Sequence, residues 1–259
     1  MFALNRKLTK TSTGRLLRIR NLSPSEVYKL YLHLLLKFGH SDNLKRLCNE
    51  GELYMGTLKS YRESDNSEVG DKNEGAHKVR YRSECKVSRV NSTTGKNEEI
   101  GILQDVIHRE FNDIYESSRV YCMYYAISPM DKVDKLSSII DDQIIKKFEY
   151  DSVAVFFNLE AFYDRLDNHL ENNGNPYRRG VVDYIDISET ERNLTPFDKD
   201  LSFKHQNEFR VCVQNVDGEH AFITSIGDLS DISFVVGVKE LDNISINIQD
   251  SQITFRKCV

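Results

Sequence analysis

The stretch FKHQNEFRVCV, Phe203 to Val213, has the side chains best suited to chemistry. A polar run, Lys204-His205-Gln206-Asn207-Glu208, leads straight into Phe209-Arg210-Val211-Cys212-Val213, where apolar residues alternate with Arg210 and Cys212 as in a strand. Strand alternation places Gln206, Glu208 and Arg210 on one face, with Phe209 and Val211 on the other. A carboxylate at the mouth of a core strand is a candidate for chemistry. The plainer role for Glu208 is an ion pair with Arg210 or Lys204. Nuclease chemistry would need carboxylates clustered around a metal. The scattered acids, Asp141-Asp142 among them, define no such cluster, and the seven histidines never pair at metal-ligand spacing.

Patterning outlines the elements that would hold these residues. Ser23-Pro24-Ser25-Glu26 can open a short helix that feeds a strand at about Leu30 to Phe38. HSDNLKRLCNEG reads as a helix with Leu44, Leu47 and Cys48 on one face, ended by Gly51, and ELYMGTLKSYR as the next strand. Glu63 to Gly75 is acidic and aperiodic, hence a loop. HKVRYRSECKVSRV and IGILQDVI read as a hairpin, and RVYCMYYAIS as a central strand ended by Pro129. Val133, Leu136, Ile139, Ile140, Ile144 and Ile145 form the stripe of an amphipathic helix, and LEAFYDRLDNHLEN that of a second. With SVAVFFN, GVVDYIDI, the hairpin-like VDGEHAFITSI and three terminal strands, the count is about ten strands and four helices. The fold class is α+β without regular β-α-β alternation. Residues 23–259 read as a single domain preceded by a basic arm, 1–22, that carries Arg6, Lys7, Lys10, Arg15, Arg18 and Arg20.

Bulk properties remove several function classes. With 35 basic and 40 acidic residues the formal charge is −5; no global positive field exists to attract nucleic acid, so any such contact must be local. Five cysteines, odd in number and free of CxxC pairing, argue against a disulfide framework or a zinc site and suit a reducing cytoplasm. No apolar run approaches the ~20 residues that span a bilayer, which leaves no membrane partner. P-loop, dinucleotide-fingerprint, HExxH and GxSxG motifs are missing.

The order of the pieces carries a resemblance. The unit YLHLLLKFG-HSDNLKRLCNEG-ELYMGTLKSYR, the GDKNEG loop, the YCMYY strand, FFNLEAFYDRL, GVVDYIDI and finally FKHQNEFRVCV resemble divergent ADP-ribosyltransferase-like bacterial proteins, some of them toxins or phage-defence effectors. The likeness runs from about Tyr31 to Val213, and its motifs are loose. It implies a mixed, mostly antiparallel split β-sheet core with flanking helices. It also implies NAD as substrate and mono-ADP-ribosyl transfer to a macromolecular acceptor, protein or nucleic acid. An antitoxin or companion protein would restrain such an activity.

By this resemblance Glu208 is the catalytic carboxylate and Gln206, one step earlier in an [E/Q]-x-E motif, orients the acceptor. His33 or Lys37 on the first strand would bond a ribose hydroxyl or phosphate. Tyr54 and Tyr61 would stack on nicotinamide or adenine, and Arg62, the Gly70–Gly75 loop and Lys204 would contact the cofactor. Glu208 should face Tyr54 and His33 across a cleft, and Glu208→Gln should abolish activity with little loss of stability. The Ser-Thr-Ser triplet of such enzymes has only GTLKS as a weak counterpart. The alternative function is a non-catalytic interaction or sensor module.

Overall fold

The computed structural model describes residues 31–66, 68–189, 192–216, 218, 220–249 and 252–258. The basic arm and the helix expected from Ser23 lie outside the described residues. In chain order the elements are β1 (Tyr31–Gly39), α1 (Ser41–Glu50), β2 (Glu52–Thr57), α2 (Leu58–Arg62), β3 (Ala76–Val90), β4 (Asn97–Phe111), α3 (Asp113–Glu116), β5 (Arg119–Pro129), α4 (Asp142–Lys147), β6 (Ser152–Phe156), α5 (Leu159–Asn172), β7 (Tyr177–Val181), β8 (Asp183–Ile185), β9 (Asp198–Asp200), β10 (Glu208–Val213), β11 (Phe222–Ser225), β12 (Ser233–Gly237), β13 (Ile244–Gln249) and β14 (Gln252–Lys257). The architecture is α+β with mostly antiparallel strands; β8 and β9 pair in parallel. Among the described residues no helix is long and apolar enough to cross a membrane.

The central sheet is organised around β5, which has three partners. β1 and β10 both pair with Tyr124, so they occupy opposite edges of β5. β2 and β10 both pair with Arg119 and Val120, so they too are on opposite edges. It follows that β1 and β2 share one edge of β5 in tandem, and the sheet splits between them. β1 continues into β6 and β12, whereas β2 leaves with β11 after meeting β5 only at Gly56 and Thr57.

Local sequence explains why β2 leaves. ELYMGTLKSYR does not stay extended as its pattern suggests: the Thr57 hydroxyl accepts from the Ser60 N–H at 2.9 Å and caps α2. Gly56 permits the turn's packing, because a Cβ there would come within 2.9 Å of the Tyr61 ring. At the other end of the unit, Gly51 closes α1 at φ 66°, where its N–H donates to the Leu47 carbonyl.

Two layers cover the sheet. Leu44, Leu47 and Cys48 of α1 and Leu159, Phe162, Leu166 and Leu170 of α5 pack with Leu35, Phe156, Phe209 and Val211. On the other face Leu32, Leu34 and Leu36 meet Leu136, Ile140, Ile144 and the β13–β14 hairpin. The amphipathic helix expected across Val133 to Ile145 is replaced by a 3₁₀ turn at Ser137–Ile139 and the short α4. Its stripe is buried as anticipated, but β13 captures the backbone: Leu136 donates to the Ile244 carbonyl and Ile246 to that of Asp134. Within VDGEHAFITSI the described strand, β11, pairs with β2 and not with a neighbour in a hairpin. The expected β3–β4 hairpin is present, with fifteen residues in each strand.

Candidate active site

Where β1 and β2 diverge, a cleft of about 180 Å³ opens against β5. Lys37 reaches into the gap and donates to the Cys122 carbonyl at 2.8 Å, with its ammonium 4.6 Å from the Tyr121 ring centre. Burial lowers its pKa, partly offset by the Glu208 charge. Tyr61 and Tyr124 supply aromatic wall, and Phe148 and Tyr150, mutually stacked, supply more.

The polar floor is a buried network. Glu208 opens β10, and its N–H donates to the Tyr184 hydroxyl at 2.8 Å. One carboxylate oxygen accepts from Arg210 Nε at 2.7 Å and the other from Lys199 Nζ at 3.2 Å. Arg210 then turns its terminal nitrogens to both oxygens of Glu74, at 2.7 and 3.2 Å, and to the Pro196 carbonyl. Glu74, Lys199, Glu208 and Arg210 are each at most 6% exposed. Two anions and two cations leave the group neutral, which is how four charges can be held out of water. Burial alone would raise the Glu208 carboxyl; the Arg210 and Lys199 charges and the hydrogen bond from Arg210 outweigh it and hold the group well below the usual carboxylate range. Glu208 is therefore ionised at neutral pH.

Gln206 does not share a regular strand face with Glu208. It ends a 3₁₀ turn, Leu201–Gln206, and Asn207 between them is left-handed at φ 38°. Asn207 accepts from the Tyr125 N–H at 2.7 Å and donates its amide back to the Tyr125 carbonyl. Gln206 nonetheless lines the cleft, with its Oε1 on Lys199 at 2.7 Å and its Nε2 on the Glu68 carbonyl at 2.6 Å.

Of the residues singled out from sequence, Glu208, Gln206, Lys37 and Tyr61 meet at the cleft. His33 and Tyr54 do not face Glu208. His33 bonds the Tyr125 hydroxyl at 2.5 Å, and Tyr54, 61% exposed, stands opposite Ile223 on the diverging part of the sheet. Arg62 grips Glu116 with two nitrogens at 3.0 and 3.1 Å and holds the Glu74 carbonyl, so it anchors the loop from behind. Lys204 is exposed in the 3₁₀ turn, and Lys199 takes the position beside Glu208.

The GDKNEG segment is not a solvated flap. Asp71 and Glu74 are each 3% exposed, and burial with the neighbouring Glu74 charge raises the Asp71 carboxyl to about 6. Sequence reasoning missed Lys199, and it took Asp71 and Glu74 only as part of a loop over the substrate. The available signal was Arg210, a cation on the inward path of a core strand that needed a counter-charge.

Comparison of the chain with protein-family models, with curated proteins and with solved structures gave no match.

Proposed function

We propose that the cleft at the sheet split is an ADP-ribosyltransferase-like site that takes NAD as substrate and passes ADP-ribose to a macromolecular acceptor in the cytoplasm. The observation that carries the reading is an ionised carboxylate, Glu208, fixed at the mouth of a central strand beside an aromatic-walled cleft. In such a reaction the bond between nicotinamide nitrogen and ribose breaks, its electron pair leaves with nicotinamide, and an acceptor nucleophile then bonds the sugar carbon and loses its proton. Glu208 would stabilise the intervening sugar cation. Arg210, Lys199 and the Cys122 thiol take three of the carboxylate's roughly four acceptor positions, and one remains for the sugar. A flat ring would sit against Tyr61 and Tyr124. The cleft is smaller than the ~300–1,000 Å³ of sites that enclose drug-sized ligands, so one end of the dinucleotide would be enclosed and the rest would lie along the surface.

A second reading, a non-catalytic binding module, is favoured by one observation: two buried cations already neutralise Glu208. Nicotinamide release and NAD binding by the wild type, Tyr61→Phe and Glu208→Gln, each with its thermal midpoint, separate the two. The enzyme reading expects release by the wild type and a loss on the order of 100-fold or more in Glu208→Gln, with Tyr61→Phe, which keeps the ring, binding NAD as the wild type does and leaving the ion network intact. A folded Glu208→Gln protein with wild-type turnover, or a wild type that neither binds NAD nor releases nicotinamide, overturns it.

A further inference from the structure

Glu68 lines the cleft, but its carboxylate is held by a second pair of donors and not by those around Glu208. One oxygen lies 3.1 Å from Lys147 Nζ, at the end of α4. The other accepts from His205 Nε2 at 3.0 Å, in the 3₁₀ turn before β10. Burial would raise the Glu68 carboxyl; the hydrogen bonds from Lys147 and His205 outweigh it and lower the group, which is ionised at neutral pH. An ionised carboxylate only accepts, so His205 presents an N–H to it. Gln206 fastens the same residue through its backbone, Nε2 to carbonyl at 2.6 Å.

Two N–H donors, one to each oxygen, are what two oxygens of a phosphate would also require. Exchange is cheap here. The Glu68 and Lys147 side chains are 19% and 39% exposed, and ion pairs that water reaches contribute little to stability. Glu74 and Glu208 sit far deeper and cannot leave the network. Glu74 also anchors the other end of the loop through Arg210, so the loop stays attached when the Glu68 carboxylate is released.

We infer that Lys147, His205 and Gln206 form a phosphate site beside the cleft, and that Glu68 is a built-in competitor that a phosphorylated ligand displaces. The ligand's other end would fill the space against Tyr61 and Tyr124. Where this rests on the transferase reading, the displacing group is the diphosphate of the dinucleotide, the portion that 180 Å³ leaves outside. Glu68 then restrains the site in the resting protein, and a ligand without phosphate cannot lift the restraint.

The test is calorimetric titration of inorganic pyrophosphate, NAD and nicotinamide into the wild type, Glu68→Gln and the double variant Glu68→Gln with Lys147→Gln, each with its thermal midpoint. Glu68→Gln should bind pyrophosphate and NAD about threefold tighter or more, the double variant should lose that gain, and nicotinamide should bind all three proteins alike. Glu68→Ala should reproduce the gain, so the result does not hang on the folding of one variant. Folded Glu68 variants that bind pyrophosphate no tighter than the wild type, a gain that survives Lys147→Gln, or an equal gain for nicotinamide overturns the inference. A gain for pyrophosphate with no NAD binding by any of the proteins upholds the phosphate site and overturns the transferase reading instead.

Discussion

At the split in the sheet, Glu74, Lys199, Glu208 and Arg210 sit out of water within reach of one another, whereas along the β3–β4 hairpin Tyr81, Leu103 and Ile107 stand in it. Ordinary burial is inverted in both regions, and the two inversions have different energetics. Interior charges demand complete pairing, so each residue of the cleft floor depends on the next. Exposed apolar groups demand nothing from the rest of the chain, so the hairpin can vary without consequence for the fold. A region of the first kind is rigid and intolerant; one of the second kind is tolerant.

The largest effect should come from Arg210→Met. It strands both Glu74 and Glu208, and loss of one partner from a buried pair costs about 3–5 kcal/mol; urea denaturation should show that drop or a failure to fold. A similar argument revises the expectation for Glu208→Gln, which removes the charge facing Arg210 and Lys199 and should also lower stability. Activity loss in that variant has to be read beside its thermal midpoint.

Asp71 should give a smaller effect of opposite sign. Its carboxyl is raised from 3.8 to about 6 in the fold, so its contribution is fully present below 3.8 and lost as pH rises through 6. Glu208 works the other way: its pKa is lowered from 4.5, so its contribution is present above that value and lost as pH falls below it. Together they place greatest stability between about 3.8 and 4.5, with a fall from 4.5 to 6 as Asp71 ionises in the fold. Asp71→Asn, which mimics the protonated acid, should stabilise the protein at pH 7.5 by roughly 1–3 kcal/mol. It should also flatten stability between pH 5 and 8 in denaturation midpoints. A variant less stable than wild type at pH 7.5 would mean that the ionised carboxylate is needed.

The smallest effect belongs to the hairpin. Ile100→Thr and Ile102→Thr, at 63% and 49% exposure, should shift stability by no more than about 0.5 kcal/mol. Leu36→Ala, fully buried beside the split, should cost about 2–5 kcal/mol in the same calorimetric series. Equal effects at the two places would erase the contrast between them.

Local patterning reached far along the backbone. β1, α1, α5, β5 and β10 were legible because each satisfies its own period and its own stop signal, Gly51 and Pro129 among them. Two elements misled because tertiary hydrogen bonds overrode a sound pattern: β13 unwinds the stripe around Leu136, and left-handed Asn207 breaks the alternation from Gln206 to Glu208. The site was half legible. Glu208 and Lys37 stand out by type and place, but Glu74 is 136 residues from the arginine that it binds, and no local period reports a pair so distant. An acidic, glycine-punctuated segment looks solvated until the cation it answers is known. The same limit hid the depth of Asp71.

The way β5 is surrounded also bears on how the chain acquires its shape. The contacts that fix this strand reach residues far off in sequence: 92 positions from Tyr125 to His33, 85 from Cys122 to Lys37 and 82 from Tyr125 to Asn207. Loop-closure entropy has to be met before any of those contacts stabilises the sheet, which places the chain among slow, high-contact-order folders. On the ribosome, the first half of the cleft must wait unpaired until Asn207 and Glu208 have left the exit tunnel. The β3–β4 hairpin, closed by its own short turn, can form long before.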